Sequence, residues 1–114
     1  MPRKHKIDEF IETALGSAGK LQSLIMLINR AIILLKESKA EPEKLNANIV
    51  KAQNILAQLE RALNFKQGKL TPNLFFIYDY MFDELSRRDI QGIDTVLPIL
   101  TQLRDAYTEL HKKQ

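Results

Sequence analysis

Four groups of residues in this sequence have types and spacings that could do chemistry. Gly16-Ser-Ala-Gly-Lys20 ends in the manner of a phosphate-binding loop. That loop also needs glycine at position 14 and Ser or Thr at 21, so that backbone N–H groups and a hydroxyl meet phosphate and metal. Ala14 and Leu21 stand there, and no strand pattern precedes them. A flexible entry to a helix is the better reading. Asp79 and Asp83 lie one helical turn apart, beside Glu84. Two such carboxylates can share a metal, but a di-metal bundle draws Glu-x-x-His pairs from several helices. Neither His5 nor His111 lies in such a pair. Asp83 stands one turn before Arg87, a helical ion-pair spacing, so a solvated acidic face is expected. His111 with Met26 is the ligand set of haem-binding four-helix bundles, and haem binding is a reading from a separate class. A core methionine is the simpler account of Met26. Ser, His and Asp occur without a Gly-x-Ser-x-Gly elbow. No cysteine is present. No enzymatic activity, metal or cofactor is expected.

The elements that would position these residues are helical. The chain has 114 residues and 45% hydrophobic content, enough for one domain around one core. A leader over residues 1–19, irregular or briefly helical, is expected to end where Gly16 and Gly19 break helix. The first helix is predicted over 20–37, with a seam of Leu21, Leu24, Ile28, Ala31 and Leu35 at spacings of three and four. Ile25, Met26, Leu27, Ile32, Ile33 and Leu34 cover most of its other directions, which predicts a central position. The second helix, 42–65, opens at Glu41-Pro-Glu43, where proline in a first turn is tolerated. It carries Leu45, Ile49, Ala52, Leu56, Leu59 and Leu63, and Lys66-Gln-Gly-Lys69 ends it. The third, 72–88, starts at Thr71-Pro72, with Leu74, Ile77, Met81 and Leu85 as one stripe and Phe75, Tyr78 and Phe82 as another. Arg87-Arg88 near its end suits the helix dipole. The fourth, 91–111, carries Ile93, Val96, Leu100, Leu103, Tyr107 and Leu110; Pro98 predicts a kink or a start close before it. Short connections favour antiparallel neighbours. The fold expected is all-α, an antiparallel up-and-down four-helix bundle.

Charge and hydropathy narrow the partners. The net charge of +3 comes mostly from Arg3-Lys4-His5-Lys6 and Lys112-Lys113, read as solvated tails. Nucleic-acid binding needs a basic stripe on a folded face and is not expected. The run Leu24 to Leu35 reaches only about 18 Å as a helix, against a hydrocarbon core of about 30 Å, so membrane insertion is not expected. Ile7-Asp-Glu-Phe10 carries two acids where a secretory signal would be apolar. A cytoplasmic location is expected. Phe75, Phe76, Tyr78, Tyr80 and Phe82 fall within eight positions, and neighbours on a helix point about 100° apart. They cannot all face one core, so some must look elsewhere, and an exposed apolar patch on a small bundle usually marks a partner surface.

Several phrases, in order, resemble the flagellar export chaperone family FliS over about residues 10 to 110. Met26, Leu27, Ala31, Ile32 and Leu35 agree with that family's Met-Leu-Tyr-Asp-Gly-Ala-Ile-Arg-Phe-Leu. Ile28, Asn29, Arg30, Ile33 and Leu34 depart from it. Leu15-Gly-Ser-Ala18 is similar to its Val-x-Thr-Ala, with Phe10 where tyrosine is usual and Lys20 where proline is usual. Asn48-Ile-Val-Lys-Ala-Gln53 matches a frequent family phrase. Leu63-Asn-Phe65, Asn73-Leu74, Ile77-Tyr-Asp-Tyr-Met81 and Leu103-Arg-Asp-Ala106 continue it, with Tyr107 where tryptophan is common. The resemblance implies a chaperone that holds the disordered C-terminal segment of flagellin in apolar grooves and prevents premature polymerisation. Other flagellar export components are further candidate partners. An adaptor or co-chaperone of the same fold with a different client is the alternative. Ile49, Gln53, Leu56, Tyr78 and Met81 are the expected client contacts, because they lie in the family-like phrases and flank the boundary between seam and second stripe. Ile7, Phe10, Ile11 and Leu15 in the leader are expected to cover part of the groove, competing with the client or clasping it.

Overall fold

The computed structural model describes residues 18–63 and 71–113. It contains helix α1 (Ala18–Ala40), a 3-10 turn (Pro42–Lys44), α2 (Leu45–Arg61), α3 (Thr71–Leu85) and α4 (Ile90–Lys112). No strand occurs among the described residues. Helix α1 packs on α2 and α4, α2 packs on α3, and α3 packs on α4. The result is an up-and-down four-helix bundle closed in chain order. Two contacts fix the antiparallel sense. The Lys20 ammonium, in the first turn of α1, donates to the Ala62 carbonyl at the end of α2 (2.8 Å), where a cation also suits the dipole. Lys39, in the last turn of α1, pairs with Asp94 near the start of α4.

The three-four seams form the core. Leu21, Ile28, Ala31 and Leu35 of α1 are fully buried, as are Ile49, Ala52 and Leu56 of α2. Tyr78, Met81 and Leu85 of α3 and Ile93, Val96 and Leu100 of α4 meet them. Each buried Leu or Ile contributes about 1.5–3 kcal/mol. Helix α1 is not central, however. A four-helix ring gives each helix two neighbours, and its solvent side is left open: Met26 is 65% exposed and Ile33 54%. Met26 is therefore no core methionine.

Element ends differ from the sequence pattern for local reasons. Helix α1 begins at Ala18, so Gly19 lies in its first turn, where it meets no neighbour a methyl would strike. It continues to Ala40, three residues past the expected end. Pro42 opens a 3-10 turn instead of the α-helix itself, and α2 follows without a break. Helix α3 stops at Leu85, so Arg87 and Arg88 belong to the connection. Arg87 reaches forward to Asp89 (3.5 Å) and Gln91 (2.8 Å) rather than back to Asp83. Helix α4 continues through Pro98, which is exposed. On an exposed face the carbonyl left without an N–H partner can be served by water, which is how a helix tolerates an interior proline. The expected helix end at Lys66-Gln-Gly-Lys69 lies outside the described residues.

Buried polar side chains join the helices at fixed points. The Asn48 amide donates to the Leu34 carbonyl (3.0 Å) and to the Glu37 carboxylate (3.3 Å), and buried Ser38 donates to the same carbonyl (3.0 Å). The Asn48 amide and the Lys44 ammonium hold the Glu37 carboxyl below its usual range. The Gln53 amide donates to the Phe82 carbonyl (3.1 Å) and the Ser86 hydroxyl (2.9 Å) at the end of α3. One end of the Asn48–Gln53 phrase thus fastens α2 to α1, and the other fastens it to α3. A buried polar group is tolerated only when paired in this way.

Candidate functional site: the groove between α3 and α4

The α3–α4 connection is tight, and Arg88 and Gly92 make it so. Arg88 takes a left-handed backbone conformation, with φ of 58°, ending α3 in the position glycine usually fills. Asp89 then caps α4, its carboxylate accepting from the Gly92 N–H (2.8 Å). A Cβ at Gly92 would overlap the Glu84 carbonyl. Only glycine lets the two helices approach so closely at this end.

Further along the pair, the helices are joined inside and open outside. On the inner side the phenols of Tyr78 and Tyr107 hydrogen-bond (2.7 Å), both buried. On the outer side lies an apolar groove of about 550 Å³ lined by Phe76, Ile77, Tyr80, Ile99, Gln102, Leu103 and Ala106. Each wall follows helical spacing: Phe76 and Tyr80 are one turn apart on α3, and Ile99, Leu103 and Ala106 follow one another on α4. Phe76 is 68% exposed and Tyr80 49%. The Phe76 ring is braced edge-on against Phe75, with centroids 6.3 Å apart. Ile77, Ile99 and Leu103 are half-buried and form the walls' inner edges. Gln102 supplies an amide. The lining offers apolar contact with the Gln102 amide and the Tyr80 hydroxyl for hydrogen bonding, and it contains no carboxylate, imidazole, amine or thiol.

The five expected client contacts stand elsewhere. Ile49, Leu56, Tyr78 and Met81 are fully buried and Gln53 nearly so. The four apolar ones belong to the core, and Gln53 is turned to the end of α3 with little surface left. Their periodicity made them prominent, and the same periodicity turns them inward. Tyr78 and Met81 support α3 from behind while Phe76 and Tyr80 face out. Ile99, Gln102 and Ala106 carried no signal as single residues; apolar positions continuing outside the Ile93–Val96–Leu100 seam were the available clue. Ile7, Phe10, Ile11 and Leu15 lie outside the described residues.

The other candidate chemistries fare as follows. Glu60 of α2 has its carboxyl pushed up by burial, and by Asp79 and Asp83 on α3. Among the described residues no group of three or more His, Asp or Glu is placed to hold a metal ion. Met26 faces solvent on α1, so it does not meet His111 inside the bundle as a haem ligand would. No helix among the described residues is long and apolar enough to cross a membrane.

The order of helices, the polar joints at both ends of Asn48–Gln53 and the aromatic wall of α3 bear on the resemblance noted in the sequence. The family described as flagellar protein FliS matches residues 4–114. No curated protein and no solved structure gives a significant match. With nearly the whole chain covered by that family, this protein belongs to the FliS family of flagellar export chaperones.

Proposed function

We propose that the protein is a cytoplasmic chaperone that binds the disordered C-terminal segment of flagellin, with the α3–α4 groove as a principal seat for apolar client side chains. The supporting observation is that Phe76 and Tyr80 expose aromatic surface along a groove whose walls are apolar. Exposed apolar grooves on small bundles serve partners that present residues at helical spacing. Ordering a disordered segment costs about 2–5 kcal/mol, and one buried Leu, Ile or Phe returns about 1.5–3 kcal/mol. Several anchors are therefore required, and a two-walled groove offers places for them. In this reading Ile49, Gln53, Leu56, Tyr78 and Met81 act on the client by holding the walls in place. The leader residues Ile7, Phe10, Ile11 and Leu15 cover part of the client track.

Calorimetric titration with a flagellin C-terminal peptide tests this. Saturable binding that Phe76→Asp abolishes, without a change in melting temperature, is expected, because a carboxylate resists desolvation in an apolar groove. Absence of any heat would favour an adaptor of the same fold with another client.

A further inference from the structure

The outward face of α1 is unusual for a bundle helix. Met26 and Ile33 lie two turns apart, within about 20° of one line along the helix. They are also its most solvent-facing large apolar residues, 65% and 54% exposed. Arg30 stands between them and Lys36 follows, both exposed. Among the described residues neither cation is in an ion pair. Glu37, whose carboxyl also feels the charge of Arg30, is engaged by Asn48 and Lys44. Lys39 is engaged by Asp94. Taken whole, α1 carries four cations and one carboxylate, whereas α3 carries three carboxylates and no cation. The bundle is polarised, and its basic side carries apolar residues at the positions most open to water.

We infer that this face, centred on Met26, Arg30, Ile33 and Lys36, is a second docking surface that takes an acidic, amphipathic segment of a protein partner. Two apolar side chains one heptad apart would cover Met26 and Ile33, and flanking carboxylates would meet Arg30 and Lys36. Charge complementarity selects the partner. A basic segment is repelled, and a neutral one leaves the two cations without counterparts. The inference does not rest on the groove reading, because α1 and α3 are not neighbours in the ring. Both surfaces can be occupied together.

The test uses the full chain and a labelled synthetic helix-forming peptide with two leucines one heptad apart, flanked by glutamates. Fluorescence anisotropy is expected to show saturable binding that weakens as salt rises, since the ion pairs are exposed. Ile33→Asp, and separately the double change Arg30→Glu with Lys36→Glu, should each weaken it at least about tenfold, or 1.4 kcal/mol. Met26→Ser should weaken it less, and Phe76→Asp should leave it unchanged. All five positions are exposed, so circular dichroism should report unaltered folding. A matched peptide with lysines in place of glutamates should bind at least about tenfold more weakly. Equal affinity for the two peptides, loss of binding in Phe76→Asp instead, or no saturable binding would overturn the inference. So would capture of the protein by phosphatidylglycerol vesicles through the same residues with no peptide binding, which would make the surface a lipid contact.

Discussion

The phenol oxygens of Tyr78 and Tyr107 lie 2.7 Å apart in the interior, joining α3 to α4 directly beneath the groove their outer faces form. Each hydroxyl is the other's partner. Changing either tyrosine to Phe leaves one buried hydroxyl unpaired, at a cost of about 1–3 kcal/mol. Changing both removes the unpaired group, so the double variant should be no less stable than the worse single variant. Urea denaturation of the three variants measures this as a coupling between the sites.

The same pair makes the protein sensitive to alkali. Burial pushes the Tyr107 phenol up to about 12, and burial with the neighbouring Tyr107 raises Tyr78 further. The unfolded chain ionises near the ordinary value of about 10. The folded state is then the one that keeps its protons. The pair's stabilisation is complete below pH about 10 and is lost as pH rises from there toward 12. Urea midpoints at pH 8, 10 and 11 should fall over the last interval, and fall less in the double Phe variant.

Gly92 should not tolerate a side chain. In Gly92→Ala the methyl group meets the Glu84 carbonyl, so α3 and α4 must separate at their connection. A loss of about 1–3 kcal/mol, the usual scale of overpacking, is expected. Arg88→Gly should act oppositely, since glycine adopts positive φ without steric cost, stabilising by about 0.5–1 kcal/mol. Thermal melts of the two variants should shift in opposite directions.

Gln53 tests whether the phrase Asn48–Gln53 is structural. Gln53→Leu removes donors from the Phe82 carbonyl and Ser86 hydroxyl at the end of α3. The Ser86 N–H and hydroxyl still serve the Phe82 carbonyl, so the expected loss is that of ordinary hydrogen bonds, about 0.5–1.5 kcal/mol, smaller than a core truncation such as Leu59→Ala at about 2–5 kcal/mol. An unchanged melting temperature would mean that these bonds do not hold α3 in place.

The helical seams were legible because one apolar residue every three or four positions has no other economical explanation than a bundle. Leu21, Ile49, Leu100 and their neighbours in the seams behave as that period requires. The groove was legible only in outline. Five aromatics in eight positions guaranteed that some face outward, but period alone did not say that Phe76 and Tyr80 turn out while Tyr78 turns in. That choice depends on the rotation of α3 against α4, which Gly92, Arg88 and the Tyr78–Tyr107 bond set through contacts between helices. Gln53 misled for a related reason. A polar residue beside a seam reads as surface until the carbonyl it satisfies, at Phe82, is known. Met26 and Ile33 misled in the other direction, since apolar residues all round a helix imply burial that a four-helix ring does not provide.

The central claim is that a disordered client seats its apolar residues in the α3–α4 groove, and the most direct measurement is the client's footprint by amide chemical-shift perturbation. Adding a flagellin C-terminal peptide to isotope-labelled protein should shift Phe76, Ile77, Tyr80, Ile99, Gln102, Leu103 and Ala106. The interior of α2 at Ile49 and Leu56 should stay nearly unmoved, and Phe76→Asp should abolish the shifts while its free spectrum remains that of a folded bundle. A footprint confined to the outer faces of α1 and α2, with the groove residues silent, would contradict the account.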